Sequence, residues 1–313
     1  LLAFVAIAWS WLFLLLLVLF FEFWARIQYG STFVLNPYNL QSIALAASMP
    51  LLLALGQTLV IIAGGIDLSV GFVMGLASVV MATVMQATAG LHPGLSLLVG
   101  IVAALLVSVV PGFISGTLIA RLAIPAFIGT LGMYGVCRGV GFLTASGTTV
   151  PVNNSWLFQL GNAKILQVPV PVILTAIVVL VMHWVLREGR FGRYTYAIGG
   201  SKPAAIRAGI NVPRHTVMLY MLSAFCAGIA GVVYTARFSA GAAQGGEPLL
   251  LDSIAAVVIG GASLFGGSGT IAGAVIGAFI IAVIQYGLVF IDVAPFWQFV
   301  AVGVVIIVSV LID

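Results

Sequence analysis

Few residues in this chain are of types that could carry chemistry, and their spacing excludes most of it. His92, His183 and His215 stand in unrelated segments, with no His/Cys/Asp/Glu spacing of a metal site, so no metal ligands are expected. There is no G-x-S-x-G nucleophile elbow, and no catalytic residue is expected. The two lysines, Lys164 and Lys202, follow Ala163 and Ser201, so neither belongs to a glycine-rich phosphate loop. Gly266-Gly267-Ser268-Gly269 has the look of such a loop but opens no lysine-bearing helix. ATP-driven work by this chain therefore has to come from another polypeptide.

Three features stand out against that silence. Asp67, in Gly65-Ile66-Asp67-Leu68-Ser69-Val70-Gly71, is the only acid between Glu22 and Glu188. Following two glycines and preceding Ser69, it reads as a cap on the next helix or as a gating or contact group. Arg138 stands inside an apolar stretch, where an arginine must face protein or water. Gly135-x-x-x-Gly139 on the same helix would let a neighbouring helix approach closely, and Arg138 would bond it or touch a solute. The third is a basic segment, 187–214, which holds six of the eleven basic residues and Glu188 as its only acid. Within it, Ser201 followed by Lys202-Pro203 starts a helix and Gly209 stops it. A helix of six or seven residues is too short to span a bilayer or to stand alone, so it must dock. A solvated basic turn and a docking knob for a partner are both open from spacing alone.

The elements that position these groups follow from composition. Of 313 residues, 63% are hydrophobic and 6% are charged, whereas an ordinary soluble domain carries about 25% charged residues. Residues 1–21, 68–120, 253–291 and 293–312 contain no charge, and about 20 apolar residues suffice for one crossing. The fold class is an all-α, polytopic transmembrane helical bundle in a single domain, 1–313, set in the lipid bilayer. The solid apolar blocks exclude a β-barrel pattern. Ten crossings are expected, near 3–23, 41–64, 69–87, 95–120, 125–146, 170–186, 217–238, 251–261, 271–289 and 295–312. The eighth is the weakest, because glycines crowd its end. Residues 147–169 read as a mixed loop.

Placing the basic segment in the cytoplasm puts seven basic residues inside and three outside, with both termini inside. The net charge of +4 is thus a topology signal, and no nucleic-acid partner is expected. The chain opens on Leu1 rather than Met, so its native start is expected upstream, and 1–21 reads as a first membrane helix rather than a signal peptide. Cys137 and Cys226 read as small buried residues. Asn153-Asn154-Ser155 matches a glycosylation sequence by accident. Glu247 and Asp252 flank the eighth segment on its outer side, facing a periplasmic partner or water. A weak internal repeat joins Gly64-Gly65…Leu68…Gly71 to Gly260-Gly261…Leu264…Gly267, as in transporters built from repeated halves.

Six segments in order carry a family resemblance: Gly65–Gly71, Pro125–Leu131, Arg138–Val140, Arg190–Gly200, Ala208–Val212 and Leu251–Gly261. Over about 37–313 the chain resembles the ribose-type monosaccharide ABC importer permeases. The resemblance implies a bacterial inner-membrane permease paired with a second permease subunit, either an identical copy or a related chain. It implies a cytoplasmic ABC ATPase with two nucleotide-binding domains, which carries the ATP and Mg, and a periplasmic sugar-binding protein. No cofactor is expected on this chain. In that family the stretch matching 199–211 holds the short coupling helix that sits in a cleft of the ATPase. Lys202, Pro203, Ala204, Ala205, Ile206, Arg207, Ala208 and Gly209 are therefore the expected coupling residues. Asp67, Ser69 and Arg138 are the expected path or gate residues, and Glu247 and Asp252 the expected contacts to the periplasmic partner. Leu250 stands where family members often carry an acid, which puts that position's role in question. The rivals are a permease of the same build for nucleosides or branched-chain amino acids, and a stand-alone secondary carrier.

Overall fold

The computed structural model describes residues 2–294 and 296–312; Pro295, where the last crossing was expected to begin, lies outside the described residues. Thirteen helices follow one another among them: α1 (Leu2–Tyr29), α2 (Pro37–Ile62), α3 (Val70–Ala87), α4 (Pro93–Arg121), α5 (Ala126–Thr144), α6 (Ser155–Asn162), α7 (Val170–Arg187), α8 (Arg190–Gly200), α9 (Lys202–Arg207), α10 (Val212–Phe238), α11 (Glu247–Ile259), α12 (Ile271–Phe290) and α13 (Trp297–Ile312). Four two-residue strands complete the list: β1 (Val150–Pro151), β2 (Lys164–Ile165), β3 (Val168–Pro169) and β4 (Ala240–Gly241). The protein is a multi-pass helical membrane protein.

Eight helices have the length and apolarity of a full crossing, against the ten expected. The other two expected crossings are shorter. Helix α13 is apolar but has 16 residues. Helix α11 has 13, about 20 Å at 1.5 Å per residue, too short for a bilayer. The segment before α11 is a two-residue strand, Ala242 and a turn over 243–246. Its first residues form β4, antiparallel to β1. The backbone of Ala242 is then clamped by Ser78 of α3, whose hydroxyl accepts from Ala242 N at 3.1 Å and contacts Ala242 O at 3.2 Å. Extended backbone inside a membrane protein survives only where protein satisfies its polar groups, and α3 does so by presenting a groove of small residues. Gly75 makes the groove: a Cβ there would lie 1.9 Å from Ala243 O, inside any contact distance. Gly71 and Gly75 thus admit this segment, while helices approach closely at Gly112 and Gly116 of α4 and at Gly273 and Gly277 of α12. Gly135 and Gly139, expected to serve that purpose, have nothing within 4 Å.

Of the eight, α2, α3, α10 and α12 are the most buried, with α1, α4, α5 and α7 outside them. Pro50 and Pro111 sit inside α2 and α4, where each removes one backbone hydrogen bond. The segment 147–169 is more ordered than a loop. Asn154 accepts from Trp156 N and Leu157 N at 3.0 Å each, capping α6, which gives the residue of the accidental glycosylation match a structural task.

The expected repeat shifts by one residue. At the end of α2, Gly64 has φ +78°, and Gly65 N reaches back to Val60 O at 2.9 Å. At the end of α11, Gly261 has φ +84°, and Ala262 N reaches back to Val257 O at 3.2 Å. Both ends are Schellman stops with glycine in the left-handed region. The geometry therefore equates Gly64 with Gly261, not with Gly260, and Asp67 with Leu264. The likeness is one of helix stops rather than of the eight-residue spacing.

Candidate functional site

The linker between α2 and α3 turns back into the bundle. Gln57, one turn before the end of α2, receives Asp67 N on its Oε1 at 3.3 Å and donates its Nε2 to Asp67 O. The amide side chain thus pairs with the linker backbone as a strand would. Asp67 is fully buried. Its Oδ1 accepts from Ser69 N at 3.0 Å and Ser69 Oγ at 2.6 Å, and its Oδ2 accepts from Ser223 Oγ at 2.9 Å. Ser223 lies eleven residues past Val212 in α10, about 16 Å along the helix. The start of α3 is therefore held deep in the bundle. Tyr220, one turn earlier, donates its hydroxyl to Ile66 O at 3.3 Å.

This revises the reading of Asp67 as a simple cap. The N-cap position belongs to Ser69, which makes no side-chain capping bond. Asp67 instead fixes Ser69 and ties it to α10. Neither Asp67 nor Ser69 lines an open path: both are buried, at 0% and 1% exposure. Removing one donor leaves a buried carboxylate oxygen without a partner, at about 1–3 kcal/mol. Ser223→Ala is accordingly expected to lower the thermal unfolding temperature of the detergent-solubilised protein. An unchanged midpoint would remove the tie assigned to this pair.

The basic segment folds as two helices where a single short one was expected. Helix α8 precedes α9 because Tyr196 and Thr195 fasten it. The Tyr196 hydroxyl donates to Gly269 O at 2.7 Å, and Thr195 Oγ1 shares a 2.9 Å bond with His215 Nε2 at the start of α10. Burial raises the Tyr196 phenol above its ordinary pKa, which keeps the proton on this donor. Ser201 caps α9, its Oγ accepting from Ala204 N at 3.4 Å, and Gly209 at φ +80° closes it. The helix ends at Arg207, two residues before the expected 209. Only Ala205 is buried, against Ile198, Val212, Ala63 and Ile210. Lys202, Pro203, Ala204, Ile206, Arg207, Ala208 and Gly209 are exposed, Ile206 at 56%. Beside this foot a cavity of about 330 Å³ reaches Gly65 and Tyr220, with Lys202 and Pro125 on its wall.

The foot and the broken linker are joined through backbone. Gly267 N donates to Ile62 O at 2.8 Å, and Gly199 of α8 packs against both atoms. The ends of α2 and α8 and the 260–270 loop thus meet at one point.

The remaining expected site residues separate. Asp252 is buried at 8% exposure, and its Oδ2 accepts from Gln285 Nε2 of α12 at 2.9 Å. It therefore faces the chain's own interior and offers no surface to a partner, contrary to expectation, because an acid among apolar helices takes the nearest donor. Glu247 is exposed, and Tyr134 of α5 donates to its Oε1 at 3.1 Å. Arg138, one turn along α5, is exposed with its Cζ 5.5 Å from the Phe72 ring centroid. Leu250 is buried at 8%, beside Gly71. Among the described residues no group of three His, Cys, Asp or Glu is placed to hold a metal.

Sequence reasoning missed Gln57, Ser223, Tyr220 and Tyr134. The signal available was that a lone amide or hydroxyl in an apolar helix must find a partner.

Residues 39–310 match the family described as branched-chain amino acid transport system / permease component. This chain belongs to that family. Among relatives of this permease component, the ribose import permease protein of Escherichia coli strain K12 is 38% identical over 281 residues, covering 88% of this chain and 85% of its own. The D-allose transport system permease protein of the same strain is 35% identical, covering 90% and 85%. The fructose import permease protein of Rhizobium meliloti is 38% identical, covering 82% and 72%. The permease component is thus a transport protein, with the matched region running from α2 into α13.

Proposed function

We propose that the chain is the membrane-spanning subunit of an ABC importer that moves a monosaccharide, a pentose or hexose, into the cytoplasm. The relatives named for ribose, D-allose and fructose support a sugar as cargo. In this reading the protein sits in a bacterial inner membrane with α8 and α9 on the cytoplasmic side and both termini inside. It pairs with a second permease subunit, takes sugar from a periplasmic binding protein, and is driven by an ATPase with two nucleotide-binding domains that holds the ATP and Mg.

The observation that carries the reading is the form of the foot. Helix α9 buries Ala205 alone and leaves Ile206 and Arg207 exposed, yet it is fastened to the end of α2. A six-residue helix is not stable by itself, so its exposed face favours a partner. A push on α9 acts through Ala205 on Ala63 and Ile198. From there it reaches the point where Ile62, Gly199 and Gly267 meet, and then the linker that holds Asp67.

The test is reconstitution of the permease in liposomes with the ATPase and binding protein encoded beside it. Uptake of a pentose or hexose is expected only with ATP and the binding protein present. Sugar entry driven by an ion gradient, with no ATPase, would favour a secondary carrier. Thermal stabilisation of the binding protein by leucine or a nucleoside, and by no sugar, would move the cargo to the rival class.

A further inference from the structure

One cluster on the outside of the chain is too polar for the surface it occupies. Helix α5 runs from Ala126 to Thr144. Tyr134 and Arg138 lie about 12 and 18 Å along it, well inside a span of about 28 Å. Their neighbours are those of a lipid-depth surface: Leu131, Val136 and Val140 are exposed, and Gly132, Gly135 and Gly139 face open space. Glu247, brought beside Tyr134 by the turn after β4, receives the Tyr134 hydroxyl at 3.1 Å. No ion pair joins Arg138 to Glu247; the two pairs among the described residues are Arg26–Glu22 and Arg187–Glu188. A charged side chain at mid-depth costs about 2.5–3.5 kcal/mol against lipid, so an exposed Arg138 and an exposed Glu247 together mark a water-filled or protein-covered face.

The chemistry of the three groups is complementary. Arg138 only donates, Glu247 only accepts, and Tyr134 does both. Their charges sum to zero. A neutral solute whose every hydroxyl both donates and accepts matches such a set without adding charge to the membrane. Arg138 and Tyr134 are backed by Phe72, which is fully buried and meets the Tyr134 ring edge-on at 4.6 Å between centroids. That backing limits where both side chains can go.

From this geometry we infer that Tyr134, Arg138 and Glu247 form a contact station for the hydroxyls of the sugar as it crosses between the two permease chains. The inference rests on the transport reading above and names the part of the path that Asp67 and Ser69, both buried, do not supply. Arg138 and Glu247 are exposed and Tyr134 half-buried, so all three groups are open to a passing solute.

The experiment uses the reconstituted transporter with ATPase and binding protein. Glu247→Cys and Arg138→Cys are treated with a membrane-impermeant methanethiosulfonate, with the unsubstituted protein as background for Cys137 and Cys226. Leu180→Cys, on the exposed apolar face of α7, is the lipid-facing control. Labelling at 247 and 138 but not at 180 is expected, slowed by the transported sugar. Glu247→Gln and Tyr134→Phe are expected to cut uptake about tenfold or more, from loss of charge-assisted and neutral hydrogen bonds, while ATPase stimulation by the binding protein persists. Positions 247 and 138 that stay unlabelled, or normal uptake by both Glu247→Gln and Tyr134→Phe, would overturn the station. So would protection by leucine and not by sugar, since Arg138 and Glu247 also match a zwitterion. ATP-dependent sugar uptake by the unsubstituted protein reports on the transport reading separately, so the two fail in different assays.

Discussion

Ile206→Asp combined with Arg207→Glu should uncouple the permease from its ATPase altogether, with the two proteins no longer co-purifying and ATP-driven uptake falling about 100-fold or more. The magnitude follows from the anatomy of interfaces, where a few central apolar and arginine side chains each contribute about 2 kcal/mol or more. Ile206 is exposed at 56% and Arg207 is exposed beside it, so neither change enters the core. Ala205, the one buried residue of α9, is left alone. The double variant should therefore unfold at the temperature of the unsubstituted protein. That separates a lost partner from a lost fold. Co-purification at the normal ratio would mean that the exposed face of α9 is not the docking surface, whatever else the foot does.

The second large effect is expected at two adjacent glycines that differ only in what surrounds them. A Cβ on Gly199 would stand 1.8 Å from Ile62 O and 2.6 Å from Gly267 N. Those two atoms are themselves hydrogen-bonded at 2.8 Å. Gly199→Ala must therefore break that bond or lift α8 away from α2, at a cost of about 1–3 kcal/mol or more. Because this is the place where the foot meets the linker to α3, ATP-driven uptake should fall further than stability alone would explain. Gly200 has nothing within 4 Å. Gly200→Ala, in the last position of α8, should change stability by no more than about 0.5 kcal/mol and leave uptake intact. Thermal unfolding and uptake measured on both variants decide the matter. Equal behaviour at 199 and 200 would remove the role given to this contact.

The two helices of the foot illustrate what can be read from a sequence and what cannot. The limits of α9 are local: Ser201 caps, Pro203 fits the first turn, and Gly209 takes the left-handed conformation that ends it. None of these needs a distant residue. Helix α8 is different. Its composition is polar and glycine-containing, and it is held by Tyr196 on Gly269 and Thr195 on His215, partners 73 and 20 positions away.

Asp67 and Asp252 make the same point for the site. Both stood out as rare acids, and both are buried against partners on other helices, Ser223 and Gln285. Their rarity was visible; their direction was not. Burial itself was hidden for a related reason. Helix α4 is more apolar than α2, yet α2 is the buried one. In a bilayer the lipid is as apolar as leucine, so hydrophobicity does not point inward, and helices associate through small residues and hydrogen bonds instead.

The sequence by itself determined the class of protein and the basic foot with its short capped helix. Each of these depends on composition or on residues within one turn of each other. The tertiary structure decided that α11 is a short helix preceded by a clamped turn, that Gly71 and Gly75 admit that turn while Gly135 and Gly139 face open space, and that Glu247 joins Tyr134 while Asp252 turns inward. Those outcomes depend on which backbone a given groove admits and which donor a buried acid reaches, and both are set by segments far apart along the chain.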